Sequence, residues 1–228
     1  MTAIIIEICK KELMIRFGSK ASNIYLLFTL AIPIAVFLPQ TTQMFLSQTD
    51  EYSVIKLVFF LIIPIMTANL IGISTFINEI RWKTIKTLLV APIDMNEIFL
   101  GKSLACILSG IVADLVLASF LVINGINITF SILMLFFVIG PLIVILSTFM
   151  LIIVTLKYPN LAENGGSLYF SMGGLMLVFL LLFLVKIIID TPQFTIDIIY
   201  SLIIGALAIS TFSYAKKIFN KDQLALSW

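Results

Sequence analysis

The sequence has no histidine. That absence removes Ser-His-Asp and Cys-His catalysis, HExxH zinc sites and haem ligation by imidazole together. Cysteine is almost as rare. Cys9 and Cys106 form no CxxC pair and fall in different elements, so they read as isolated reduced thiols. Charge is scarce at 11% of 228 residues, where soluble domains carry roughly 25%. No segment shows the short apolar–polar alternation of a membrane barrel. Little remains that could keep this chain in water.

What the sequence does have is apolar length. Hydrophobic residues make up 61% of it, and the mean hydropathy is +1.18. Runs of about 20 apolar residues recur, the length a helix needs to cross a bilayer. Lipid cannot satisfy bare backbone groups, so such runs should be helices. The expected fold class is all-α, a polytopic membrane protein forming one transmembrane domain over residues 1–228. Six spans are predicted, at about Ala21–Pro39, Val54–Ile77, Ser103–Ile123, Phe130–Leu156, Leu168–Ile189 and Ile198–Tyr214. Pro33 predicts a kink in the first. Lys157–Ser167 and Asp190–Asp197 read as turns, the former broken by Pro159 and Asn164-Gly165-Gly166.

Residues 1–20 mix isoleucines with Glu7, Lys10, Lys11, Glu12, Arg16 and Lys20. Their acidic residues, and the lack of a small-residue cleavage site, argue against a cleavable signal. Ile4, Ile8 and Ile15 share one helical face, and Ile6, Leu13 and Phe17 lie nearly opposite. An interfacial helix on the membrane surface is expected. The bland alternative is a charged extension of the first span.

Orientation follows from Lys and Arg in the short connections. With six spans both termini share a side. That side receives twelve basic residues: Lys10, Lys11, Arg16, Lys20, Arg81, Lys83, Lys86, Lys102, Lys157, Lys216, Lys217 and Lys221. The opposite side has only Lys56 and Lys186. Both termini are therefore expected in the cytoplasm of a cell (plasma) membrane protein, together with the stretch Asn78–Lys102.

That stretch, NEIRWKTIKTLLVAPIDMNEIFLGK, holds seven of the 26 charged residues. On a helical wheel Trp82, Ile85, Leu88 and Leu89 fall on one arc, and Glu79, Lys83, Lys86 and Thr87 on another. Glu79 and Lys83 form an i, i+4 pair in the favourable order. Pro92 ends this helix, and Ile93-Asp94 starts a second short helix through Glu97 to Gly101, before the chain returns into the membrane. A loop that merely fixed topology would need neither this length nor an apolar face. A helix with one apolar and one charged face suits lipid headgroups or a partner's groove.

The order Glu79, Lys83-Thr84, Leu88-Leu89, Pro92, Glu97-Ile98 and Gly101-Lys102 resembles the cytoplasmic signature of ABC transporter permeases of the type-2 exporter class. Lys83 stands where that family often has glycine, and Ile80 and Lys86 replace frequent charged residues. In layout the resemblance covers nearly the whole chain; in motif, only about 25 residues. It implies a coupling helix between spans 2 and 3, seated in a cleft of a separate ABC ATPase subunit. Glu79, Arg81, Trp82, Lys83, Thr84, Lys86, Leu88, Leu89 and Pro92 would carry that contact, and Glu97, Gly101 and Lys102 the return into span 3. It also implies a second permease copy or sister permease and an exported small molecule or peptide; the short outer loops and very apolar spans point to a hydrophobic or amphipathic one. ATP and Mg would sit on the partner, with no cofactor, metal or catalytic residue in this chain and no nucleic-acid partner. Gly101-Lys102-Ser103 ends like a phosphate-binding loop, but Asn96 stands where GxxxxGK[ST] needs glycine.

Asp114 is the acidic residue predicted deep within a span. Such a placement costs ~2.5–3.5 kcal/mol on insertion scales. It reads either as a cargo-pathway or proton-sensitive group, or as a hydrogen-bonded packing group. Asn69 reads as interhelical glue. Small residues recur at spacing four, at Ser109/Ala113, Gly110/Asp114, Ser201/Gly205 and Ala206/Ser210, which suits close packing or a dimer contact. Asn127-Ile128-Thr129 matches a glycosylation sequon by chance composition. The alternatives to an exporter subunit are an ion-coupled secondary transporter or channel using Asp114, and a non-transporting scaffold or immunity subunit. An intramembrane enzyme is disfavoured by the absence of histidine and of a GxGD pattern.

Overall fold

The computed structural model describes residues 2–18, 54–77, 79, 93–123, 130–164, 166–188 and 193–219. Every regular element among them is a helix. In chain order these are α1 (Thr2–Phe17), α2 (Val54–Gly72, continued by a wider π-helical segment Ile73–Ile77) and α3 (Met95–Ile123). Then come α4 (Phe130–Lys157), the short α5 (Pro159–Glu163), α6 (Gly166–Ile188) and α7 (Gln193–Ile218). Four segments are long and apolar enough to cross a membrane: Met95–Ser119, Phe130–Lys157, Gly166–Val185 and Phe194–Ile218. The predicted first span, and with it Pro33, lies outside the described residues. The predicted second span coincides with α2 and its π-helical end.

The predicted short helix from Ile93-Asp94 to Gly101 is not a separate element. Helix α3 runs unbroken for 29 residues from Met95. Asp94 is its cap: Asp94 Oδ1 accepts from the Asn96 N–H at 3.2 Å, and the Asp94 carbonyl accepts from the N–H of Glu97 at 3.0 Å. A capped start of this kind satisfies donors that no helical partner reaches. At 1.5 Å per residue α3 is about 43 Å long, well beyond the roughly 30 Å of a hydrocarbon layer. Its first turns therefore belong to the base that carries the charged stretch.

Two predicted turns are also corrected. Within Lys157–Ser167, Pro159–Glu163 forms the helical turn α5. Asp197, placed at the end of a turn, lies inside α7 and is buried. Proline at the first position of a short helix and glycine at the start of α6 fit the same residues as helix boundaries rather than as a loop.

Helix α4 lies at the centre, packed against α2, α3, α6 and α7. It contains a π-helical segment, Leu135–Ile139, where the Gly140 N–H donates to the carbonyl of Leu135. Pro141 follows directly. Its ring has no N–H and would press on the carbonyl four residues back, and widening the preceding turn relieves that contact. Two apolar clusters fill the interior. One centres on Leu61, Ile139, Ile143, Tyr200 and Ile204. The other, at the Met95 end of α3, joins Phe99 to Phe149 and Phe219, with ring centroids 6.0 and 5.3 Å apart. Such pairs add about 0.5–1.5 kcal/mol each beyond area burial, and here they tie α3, α4 and the end of α7 together.

Helix α1 packs on α3. The face it buries draws one residue from each apolar arc, Ile8 and Leu13. Ile8, Cys9 and Leu13 pack inward, while Ile4 and Ile15 are exposed. The cause lies on α3, where Gly101 opens a place for Ile8. A Cβ at residue 101 would stand 2.7 Å from Ile8 Cβ and 3.0 Å from the Ile5 carbonyl oxygen.

Candidate functional site

Lys102 sits one residue beyond that close approach, with its side chain only 4% exposed. An ammonium there needs compensation for the water it has lost. Lys102 Nζ donates to Glu12 Oε1 on α1 at 2.6 Å and to Glu79 Oε1, just past α2, at 2.8 Å. A longer bond of 3.4 Å reaches the carbonyl of Thr75 in the π-helical end of α2. The ammonium has three donors, and each finds an acceptor. The two carboxylates are partly exposed, at 16% and 23%, so the cluster stands at the margin of the buried interior. Burial raises the Glu79 carboxyl above its ordinary value, opposed by attraction and a hydrogen bond from Lys102.

The surrounding groups brace this joint. The Thr75 hydroxyl donates back to Ile71 or Gly72 carbonyls, at 3.0 and 3.2 Å, and stands 3.5 Å from Cys106 Sγ. The Cys106 thiol donates to the Lys102 carbonyl at 3.3 Å. Glu97 is buried in the first turn of α3, where the helix dipole favours a negative charge. Three elements thus meet on one cation: α1, the end of α2 and the start of α3. Mechanically, a displacement of the chain at Glu79 pulls on a buried charge that α1 and α3 share.

Among the predicted site residues, Glu79, Gly101 and Lys102 are brought together here. Arg81, Trp82, Lys83, Thr84, Lys86, Leu88, Leu89 and Pro92 lie outside the described residues. Glu79 is engaged across helices by Lys102, a partner that the i, i+4 spacing to Lys83 does not reveal. Glu12 and Thr75 were not singled out from the sequence. Glu12 lies 90 residues from Lys102, and its place in a run of mixed charges gives no sign of burial. Among the described residues, no group of three or more Cys, Asp or Glu side chains is arranged to hold a metal.

Asp114 and Asn69 lie apart from this joint, inside the bundle. Both are fully buried, and neither the Asp114 carboxyl oxygens nor the Asn69 amide atoms have a hydrogen-bond partner among the described residues. The Asp114 carboxyl is pressed against Gly140, the residue between the π-helical segment of α4 and Pro141. One turn away, Gly110 lets α3 meet α2 and α4; a Cβ there would stand 2.5 Å from Val144 Cγ1 and 3.0 Å from Ala68 Cβ. The small-residue stripe around Gly110 is thus a packing seam. The stripe at Ala206 and Ser210 is exposed.

No family model matches the chain, and no curated protein or solved structure matches it.

Proposed function

We propose that the chain is the membrane permease subunit of an ATP-driven ABC exporter of the type-2 class, built from six spans with both termini in the cytoplasm. It pairs with a second permease copy or a sister permease and with ATPase subunits. It moves a hydrophobic or amphipathic cargo, such as a peptide or drug, out of the cytoplasm by alternating access. The stretch Asn78–Lys102 receives the push of the ATPase, and hydrolysis belongs to that partner. The observation that carries this reading is the Glu12–Lys102–Glu79 joint. A segment that only fixed topology would have no use for a buried cation tying its two ends to the surface helix. The joint gives a route from a partner seated on Arg81–Pro92 to α1, α2 and α3 at once.

The test is co-purification with an ATPase subunit, followed by transport into inverted vesicles. Arg81→Glu, in the stretch offered to the partner, should reduce ATPase capture. Lys102→Arg should leave both capture and transport nearly intact. If no ATPase is captured by the wild-type chain, or if Arg81→Glu changes neither capture nor ATP-dependent transport, the reading fails.

One observation favours a second reading. The Asp114 carboxyl, without a bonding partner among the described residues, suits an ion-coupled transporter, because acids held in a span despite their cost mark ion and proton pathways. Proteoliposomes holding this chain alone decide it: uptake under a proton gradient that Asp114→Asn abolishes would replace the exporter reading.

A further inference from the structure

Where α1 leaves its close contact at Gly101, a cavity of about 410 Å³ opens between α1 and α3. Its walls are Ile6, Cys9 and Leu13 from α1 and Leu104 and Leu108 from α3, and Lys10 is its one charged lining residue. That volume lies in the range of small-ligand sites. The walls are apolar, yet they are not closed over: Ile6 is 64% exposed, Leu104 37% and Leu108 43%. Exposed Met14, Ile15 and Phe17 extend the same apolar character along α1. A surface of this kind marks a binding site when it is contiguous and rimmed by charge.

We propose that this groove holds the acyl chain of an anionic phospholipid of the cytoplasmic leaflet, with its phosphate paired to the ammonium of Lys10. Three observations select that occupant. The groove is apolar along its length and cationic at one edge, which matches an amphiphile with an anionic head. It lies between a surface helix and a span, so an acyl chain reaches it without leaving the membrane. Exposed Ile4, Ile6 and Ile15 stand on α1 beside exposed Glu7, Lys10 and Lys11, the mixture of apolar and charged surface that a helix carries at a membrane interface. Anionic lipid attracts basic residues beside the membrane. The proposal shares with the exporter reading only the cytoplasmic placement of α1. It needs no ATPase, so the two can fail separately. Seated there, the lipid would bear on the same α1–α3 contact that Glu12 and Lys102 lock.

The experiment uses the full chain in phosphatidylcholine vesicles doped with a photoactivatable phosphatidylglycerol or, in parallel, a photoactivatable phosphatidylcholine. Illumination and peptide mapping locate the adducts. The expected result is phosphatidylglycerol adducts on α1 around Cys9–Leu13 and on α3 around Leu104–Leu108. They should fall several-fold with Leu104→Trp, which fills the groove, and with Lys10→Glu, while adducts elsewhere persist. Lys10 is exposed and outside the Lys102 joint, so its variant leaves the fold in place. Equal labelling by the two lipids, indifference to Lys10→Glu, or copy-to-copy crosslinking through the same residues would each overturn the proposal, the last in favour of a dimer contact. Impermeant labelling of α1 only from the outside would overturn its leaflet assignment.

Discussion

Lys102 brings one positive charge to a place that water hardly reaches. Removing one member of such a buried cluster leaves the others uncompensated, at about 3–5 kcal/mol. Lys102→Met leaves Glu12 and Glu79 facing each other without the cation between them. We expect a loss of about 3 kcal/mol, toward the lower bound because both carboxylates are partly exposed. Thermal unfolding in detergent reads this as a drop of several degrees, since 1 kcal/mol shifts Tm by about 2–4 °C at this chain length. The triple variant Glu12→Gln, Glu79→Gln, Lys102→Met should recover much of the loss, because three neutral groups no longer repel. A triple variant no more stable than the single one would show that the cluster acts by shape rather than by charge. Of this site the sequence makes Glu79 and Lys102 legible, through their place in a charged stretch between apolar runs. Glu12 is not legible, because no local pattern distinguishes a surface carboxylate from one that meets a cation 90 residues away.

At the scale of elements, the α1–α3 contact depends on a missing side chain. A Cβ at residue 101 would stand 2.7 Å from Ile8 Cβ and Cγ2, closer than carbon atoms pack. Backbone must move to admit it, because one of the other neighbours is the Ile5 carbonyl. Gly101→Ala should therefore cost about 1–3 kcal/mol in strain and loosen α1, even though alanine is the better helix former. Limited proteolysis within Thr2–Phe17 should quicken in this variant, and Lys102 should lose its short bond to Glu12. Unchanged proteolysis would mean that α1 can shift without cost. The isoleucine spacing of α1 reports only its own pattern, and Gly101 on α3 decides which isoleucine is received. The unbroken α3 is a similar case. Glycine inside a helix and proline nearby read as punctuation, yet Asp94 caps the helix after Pro92 and Gly101 is kept for contact.

Over the whole molecule, α3 and α4 are half-buried while α6 and α7 are mostly exposed: 56% of each of the first two spans is buried, against 22% and 28%. Helices α3 and α4 thus form the centre, and α6 and α7 stand outside with Leu177, Leu180 and Ile187 exposed. That outer apolar surface fits lipid or another membrane helix. The topology expected from the Lys and Arg distribution is testable. In a background of Cys9→Ser and Cys106→Ala, Asn127→Cys should react with an impermeant maleimide on intact cells, and Lys216→Cys only after permeabilisation. Reversed labelling would invert the positive-inside assignment on which the exporter reading stands.

The sequence by itself determined that the chain is helical and membrane-bound, because composition and run length are properties of each segment alone and the lipid demands helices of that length. It also marked the stretch that interrupts the apolar runs and located α2, α4, α6 and α7 to within a few residues. Only the tertiary structure decided that Lys102 is shared by Glu12, Glu79 and the Thr75 carbonyl, that Gly101 seats Ile8, and that Asp114 meets Gly140 with no bonding partner among the described residues. These facts depend on which helices lie side by side. Apolar helices carry little information on that point, since nearly every face is greasy enough to pack; small residues and rare charges make the choice, and their partners lie far away along the chain.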